Sequence, residues 1–94
     1  MIHLLIADDE ALERETLAQI VARRFEHEVV IKTAENGRKA ADTAVLWGTD
    51  LILMDIEMPG MNGLDAARAI LEQRPECKVI FVTAYSLFQY AHEA

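Results

Sequence analysis

The chain has 94 residues, about half of them apolar, one cysteine and a formal net charge of −7. That length holds one domain, and a domain this small buries only about two thirds of the surface its unfolded chain exposes, so its stability margin is thin. The apolar share excludes disorder, the acidic balance excludes a basic surface for nucleic acid or anionic lipid, and Cys77 alone builds neither a disulfide framework nor a thiolate cluster. Cys77 is expected to be a small, partly buried packing residue. The opening run carries His3 and meets acids at once, unlike a signal peptide, and no stretch approaches the roughly 20 apolar residues that span a bilayer. A soluble, cytoplasmic protein without a membrane partner is expected.

Apolar runs of strand length alternate with segments of helical period, the pattern of a parallel sheet with helices on both faces. Residues 2–7 read as the first strand, rich in branched residues and nearly continuous. Residues 10–25 read as a helix, with Leu17, Ile20, Val21 and Phe25 on its apolar side and Asp9 and Glu10 at its dipole-positive start. Residues 29–33 form a short β-branched strand, and Asn36-Gly37 turns the chain into a second helix. On that helix Ala40, Ala41, Ala44 and Val45 make a narrow stripe of small residues suited to a close approach, and Trp47-Gly48 ends it. Residues 50–54 read as a third strand, buried on both sides. Residues 58–63, Met-Pro-Gly-Met-Asn-Gly, break any regular element and form a loop. A third helix over 64–74 turns Leu64, Ala67 and Leu71 inward and stops at Pro75. Residues 78–83 are the fourth strand, whose free edge lacks a covering neighbour and suggests self-association as a homodimer. A fourth helix begins over 87–92.

Ligands of open parallel sheets bind beyond the carboxyl ends of the strands, and Asp8, Asp9, Asp55 and Thr83 all fall there. Taken singly, each has an ordinary explanation: a helix cap, a loop cap, a strand residue. Together they are much more specific. Carboxylates drawn together raise one another's pKa unless a cation neutralises them, and a hard ion such as Mg2+, which takes oxygen ligands and phosphate oxygens, answers that need. An Asp carboxylate can also attack phosphorus to give an aspartyl phosphate, and Asp55, alone at the tip of an apolar strand, is the candidate nucleophile. The Thr83 hydroxyl could then bond a phosphoryl oxygen. His3, His27 and His92 give no site and are expected to be solvated or packed.

Three stretches carry a family resemblance: Leu4-Leu5-Ile6-Ala7-Asp8-Asp9-Glu10, residues 50–63 from Asp50 through Asp55 to Gly63, and Val79-Ile80-Phe81-Val82-Thr83-Ala84. Together they resemble the receiver domain of bacterial two-component response regulators. The resemblance implies an α/β, flavodoxin-like (CheY-like) fold with strand order 2-1-3-4-5. It implies Asp55 as phosphoacceptor, Asp8, Asp9 and Asp55 with the main-chain carbonyl of Glu57 as ligands of Mg2+, Thr83 as the switch hydroxyl and Ala84 as the small residue that leaves the site open. The phosphodonor would be a histidine kinase, and the output a DNA-binding domain absent from this chain, so that the chain itself makes no nucleic-acid contact. Residues 85–91 resemble receivers that precede AraC-type DNA-binding domains.

A receiver of this kind normally adds a fifth strand ending in a lysine, whereas Lys32, Lys39 and Lys78 all precede Thr83 here. The chain is therefore expected to be a receiver, residues 1–94, lacking its last strand and helix. Mg2+ binding needs only the acids and is expected to persist. A magnesium-dependent phosphatase or phosphotransferase is the competing class, disfavoured because the motif sets no general acid or base beside Asp55, so no enzyme is expected. An interaction scaffold that no longer signals is the third.

Overall fold

The computed structural model describes residues 1–82. Within them lie strand β1 (Ile2–Ala7), helix α1 (Ala11–Arg24), β2 (Val29–Ala34), α2 (Gly37–Trp47), β3 (Leu51–Met54), α3 (Gly63–Gln73) and β4 (Lys78–Phe81). The expectations for Thr83, Ala84 and the fourth helix lie outside the described residues. The four strands are all parallel and stand in the order β2-β1-β3-β4. The expected 2-1-3-4 order is therefore observed, and β1 and β3 run side by side at the centre with Ala7 opposite Met54.

Alternation along the strands divides the apolar residues between two faces. On one, Leu5, Ala7, Ile52 and Met54 meet Ala40 and Ala44 of α2 and Ala66 and Ile70 of α3, and every one of these is fully buried or nearly so. On the other, Leu4 and Ile6 meet Leu17, Ala18 and Val21 of α1, while Leu51 and Leu53 stay only partly covered. The third strand is thus sealed on one side only, which corrects the expectation of burial on both. Cys77 packs into the closed face, and burial pushes its thiol pKa up, as suits an inert packing residue.

Helix starts differ in a way that matters for the site. Asn36 accepts a bond from the Lys39 N–H at 2.7 Å and Asn62 one from the Asp65 N–H at 2.9 Å, so α2 and α3 carry side-chain caps. The α1 cap position, Glu10, makes no such bond. Gly48 ends α2 in the left-handed region at φ 70°, as the Trp47-Gly48 stop implies.

Two helix faces depart from the expected ones. In α3 the inward stripe is Gly63, Ala66, Ala67 and Ile70, at helical spacing i, i+3, i+4, i+7, while Leu64 and Leu71 are 48% and 39% exposed. The small residues let the helix lie close to the sheet, and each leucine, one position and about 100° further round, falls outside the seam. Ile20 of α1, and Phe25 just past its end, are likewise exposed, and Leu17, Ala18 and Val21 do the packing. Among the described residues β4 pairs with β3 alone, and its Ile80 and Phe81 are 50% and 41% exposed. At the amino end of central strand β1, His3 stacks on Trp47 with ring centroids 4.5 Å apart, a packed role, and His27 sits exposed in the α1–β2 turn at φ 72°.

Candidate functional site: an acid cluster at the strand ends

Residues 8–10 follow β1 directly, and Asp55 follows β3, so the pairing of those two strands sets the acids side by side. The Asp55 N–H donates to the Ala7 carbonyl at 2.9 Å, and the Asp8 N–H donates to the Ala34 carbonyl at 3.1 Å. Each main chain is thereby anchored to a neighbouring strand at the point where its carboxylate begins. Asp8 is buried, Asp55 half-buried and Asp9 exposed. One oxygen from each of the three lies within 4.8 Å of the others. Asp8 Oδ1 accepts the Glu10 N–H at 2.9 Å, and Asp55 Oδ1 accepts the Glu57 N–H at 3.3 Å, two short turns that orient the carboxylates.

The electrostatics follow from that crowding. Burial and then the charge of Asp8 push the Asp55 pKa up from the ordinary 3.8 to about 6, against a pull downward from the Glu57 N–H that outweighs the further upward push of the Asp9 charge. Glu13, one turn into α1, is drawn into the same cluster: desolvation, then Asp8 and Glu10, and more weakly Asp55, raise its carboxyl pKa. The structure thus brings Asp8, Asp9 and Asp55 together as the sequence implies, and places Glu57 beside them through its main chain.

Several residues that build the site escape sequence reasoning. Gly63 is the first residue of α3, not the last of the loop, and a Cβ there would fall on the Asp55 carbonyl oxygen and lie 2.9 Å from Ile56 Cα. Its own N–H donates to the Ile56 carbonyl at 2.8 Å, so the helix start is pressed against the segment that carries Asp55. Gly37 plays the matching part for α2, where a Cβ would strike the Met61 carbonyl oxygen. The available signal was the Asn-Gly pair ahead of each helical period, which reads as cap and first helical residue as readily as a turn. Glu13 and Arg14 offered only their place in the first turn of α1.

The description "Response regulator receiver domain" matches residues 4–94. The chain belongs to the response regulator receiver family. It is 39% identical over 85 residues to the transcriptional regulatory protein LnrK of Bacillus subtilis, covering 90% of this chain and 38% of that protein. The chain thus spans little more than a third of that curated relative. Among solved structures it resembles the response regulator TrrA of Thermotoga maritima in complex with Mg2+ and BeF, with a TM-score of 0.83 and 37% identity over 96% of this chain and 76% of that one. It also resembles a chain in the complex of histidine kinase ThkA with TrrA, with a TM-score of 0.79 and 38% identity over 90% of this chain and 71% of that one. The receiver fold and a phosphoacceptor role in two-component signalling, both drawn from the sequence, are thereby established for the family to which this chain belongs.

Proposed function

We propose that Asp55 is the residue that takes the phosphoryl group, that Asp8, Asp9 and Asp55 with the main-chain carbonyl of Glu57 hold Mg2+, and that Thr83 is the switch hydroxyl. The observation that carries this reading is the convergence of three carboxylate oxygens within 4.8 Å around an Asp55 whose pKa is pushed up to about 6. Such a cluster carries charge that its own folded surroundings leave uncompensated, and its all-oxygen donors suit a hard cation that keeps waters and phosphate oxygens in its shell. When bound, Mg2+ offsets charge on the transferring group. The chain's own residues do the rest. A carboxylate oxygen of Asp55 forms the new bond to phosphorus, and the bond from phosphorus to the donor's nitrogen breaks, with the electron pair leaving on nitrogen. The Glu57 N–H holds Asp55 Oδ1 in place meanwhile, and the loop buried at Met58 keeps that carboxylate against the sheet edge.

A histidine kinase as phosphodonor is supported by the likeness to TrrA in its complex with ThkA. In the full-length protein the signal would pass to a DNA-binding transcription output, a reading supported by relatives such as LnrK. On this reading the chain is an acceptor in the cytoplasm and not an enzyme that turns over small phosphate esters. Among the described residues no helix is long and apolar enough to cross a membrane. The test is labelling by acetyl phosphate with Mg2+, followed by mass spectrometry. Modification confined to Asp55 and absent from Asp55→Asn is expected, whereas label elsewhere or sustained hydrolysis of the donor would overturn the assignment.

A further inference from the structure

We propose that Arg14 is a positioning residue for the acid cluster, its guanidinium fixing the peptide that joins Asp8 to Asp9. The inference rests on the metal reading given above. Its starting point is the contrast between helix starts: α2 and α3 have asparagine caps and α1 has none. At α1 a donor side chain, which caps no helix N–H, ties the helix start to the end of β1 instead. Arg14 Nη1 donates to the main-chain carbonyl of Asp8 at 2.9 Å, while the Arg14 N–H donates to the Glu10 carbonyl at 2.9 Å. The donor therefore stands on the first hydrogen-bonded turn of α1 and reaches back across residues 9–13 to the end of β1.

Asp8 is thereby held at three points: its N–H on Ala34, its Oδ1 by the Glu10 N–H, and its carbonyl by Arg14. The first two set the Asp8 backbone and carboxylate. Only the third acts on the Asp8–Asp9 peptide plane, and the orientation of that plane decides where exposed Asp9 can aim its side chain. A charge-assisted bond from a half-buried guanidinium is stronger than a neutral one. The bond runs to a main-chain carbonyl and not to a carboxylate, so the role is geometric rather than charge-neutralising. Lysine would bring one flexible donor in place of a planar fork.

The test is a calorimetric Mg2+ titration of the wild-type chain, Arg14→Met and Arg14→Lys near neutral pH, with amide NMR spectra of residues 8–10 recorded alongside. Arg14→Met is expected to weaken Mg2+ binding about tenfold, the lower end of the effect of removing a partner that orients a metal ligand. Arg14→Lys should recover part of that loss, and the amide shifts of Asp9 and Glu10 should move in the metal-free protein. A folded Arg14→Met with a Kd within about twofold of wild type would overturn the inference and leave the metal reading intact, because a purely structural bond would change stability and not affinity. Should Arg14→Met fail to fold, Arg14→Lys decides: binding about threefold weaker than wild type is expected, and wild-type affinity would overturn the inference. No binding by the folded wild type would bring down the metal reading and this inference together.

Discussion

The two faces of the sheet are built to different standards. Under α2 and α3, Leu5, Ile52, Met54 and Ile70 are sealed completely, whereas on the α1 side Leu51 and Leu53 are half covered and Ile80 is half exposed. The closed face uses small residues and glycines to bring helices near, and those same glycines press the helix starts against the loop that carries Asp55. On the open-face side, Asp8 and Asp9 join β1 to α1, and Glu13 and Arg14 stand in the first turn of that helix, which has no side-chain cap. The acid cluster forms where the two meet, with Asp55 at the end of β3 beside the closed-face helix α3 and Asp8 and Asp9 between β1 and α1.

The largest expected effect tests the contrast in packing. Ile70→Ala on the closed face should cost about 4 kcal/mol in urea unfolding, and Leu53→Ala on the open face less than about 2, because a half-covered side chain leaves less of a cavity behind. Equal losses would dissolve the distinction. Gly63→Ala should cost about 3 kcal/mol, since the added methyl meets backbone on both the Asp55 and Ile56 sides and only a shift of α3 can relieve it. A stability near wild type would mean that the helix start is not pinned there.

Next comes the seam itself. A carboxyl whose folded pKa lies above its ordinary value binds a proton more readily in the folded state, so its favourable contribution is full below about 3.8 and is lost as pH rises through about 6. The metal-free wild type should therefore lose melting temperature relative to Asp55→Asn between pH 5 and pH 7.5, and saturating Mg2+ should restore it by binding the folded form. A gap that stays constant with pH would show that Asp55 is not held under charge strain. The smallest effects concern the caps. Asn36→Ala and Asn62→Ala should each cost about 1 kcal/mol, while Glu10→Ala should stay within about 0.5, as measured by thermal unfolding. A Glu10→Ala loss as large as the asparagine ones would erase the difference between helix starts.

Much of this was legible from residue order. The strands, the alanine stripe of α2, the Gly48 stop and the three acids at two strand ends follow from runs, spacing and turn residues. The inward face of α3 was not, because a leucine and an alanine one position apart differ by about 100° around the axis, and only the distance between helix and sheet decides which is preferred. Ile20 of α1 was misplaced for the same reason. Glu13 and Arg14 carry no signal along the chain, since their reach to Asp8 depends on how α1 is rotated over β1.

What the sequence determined by itself is therefore the alternating order of elements and the identity of the acids that end β1 and β3. Both are matters of local backbone geometry, which repeats every two residues in a strand and every 3.6 in a helix. The tertiary structure decided which face closed, that Gly63 must have no side chain, that Asp55 titrates near 6, and that Arg14 ties Asp8 to α1. These depend on distances between residues far apart in the chain or on opposite sides of a turn, and such distances exist only once the helices have settled on the sheet.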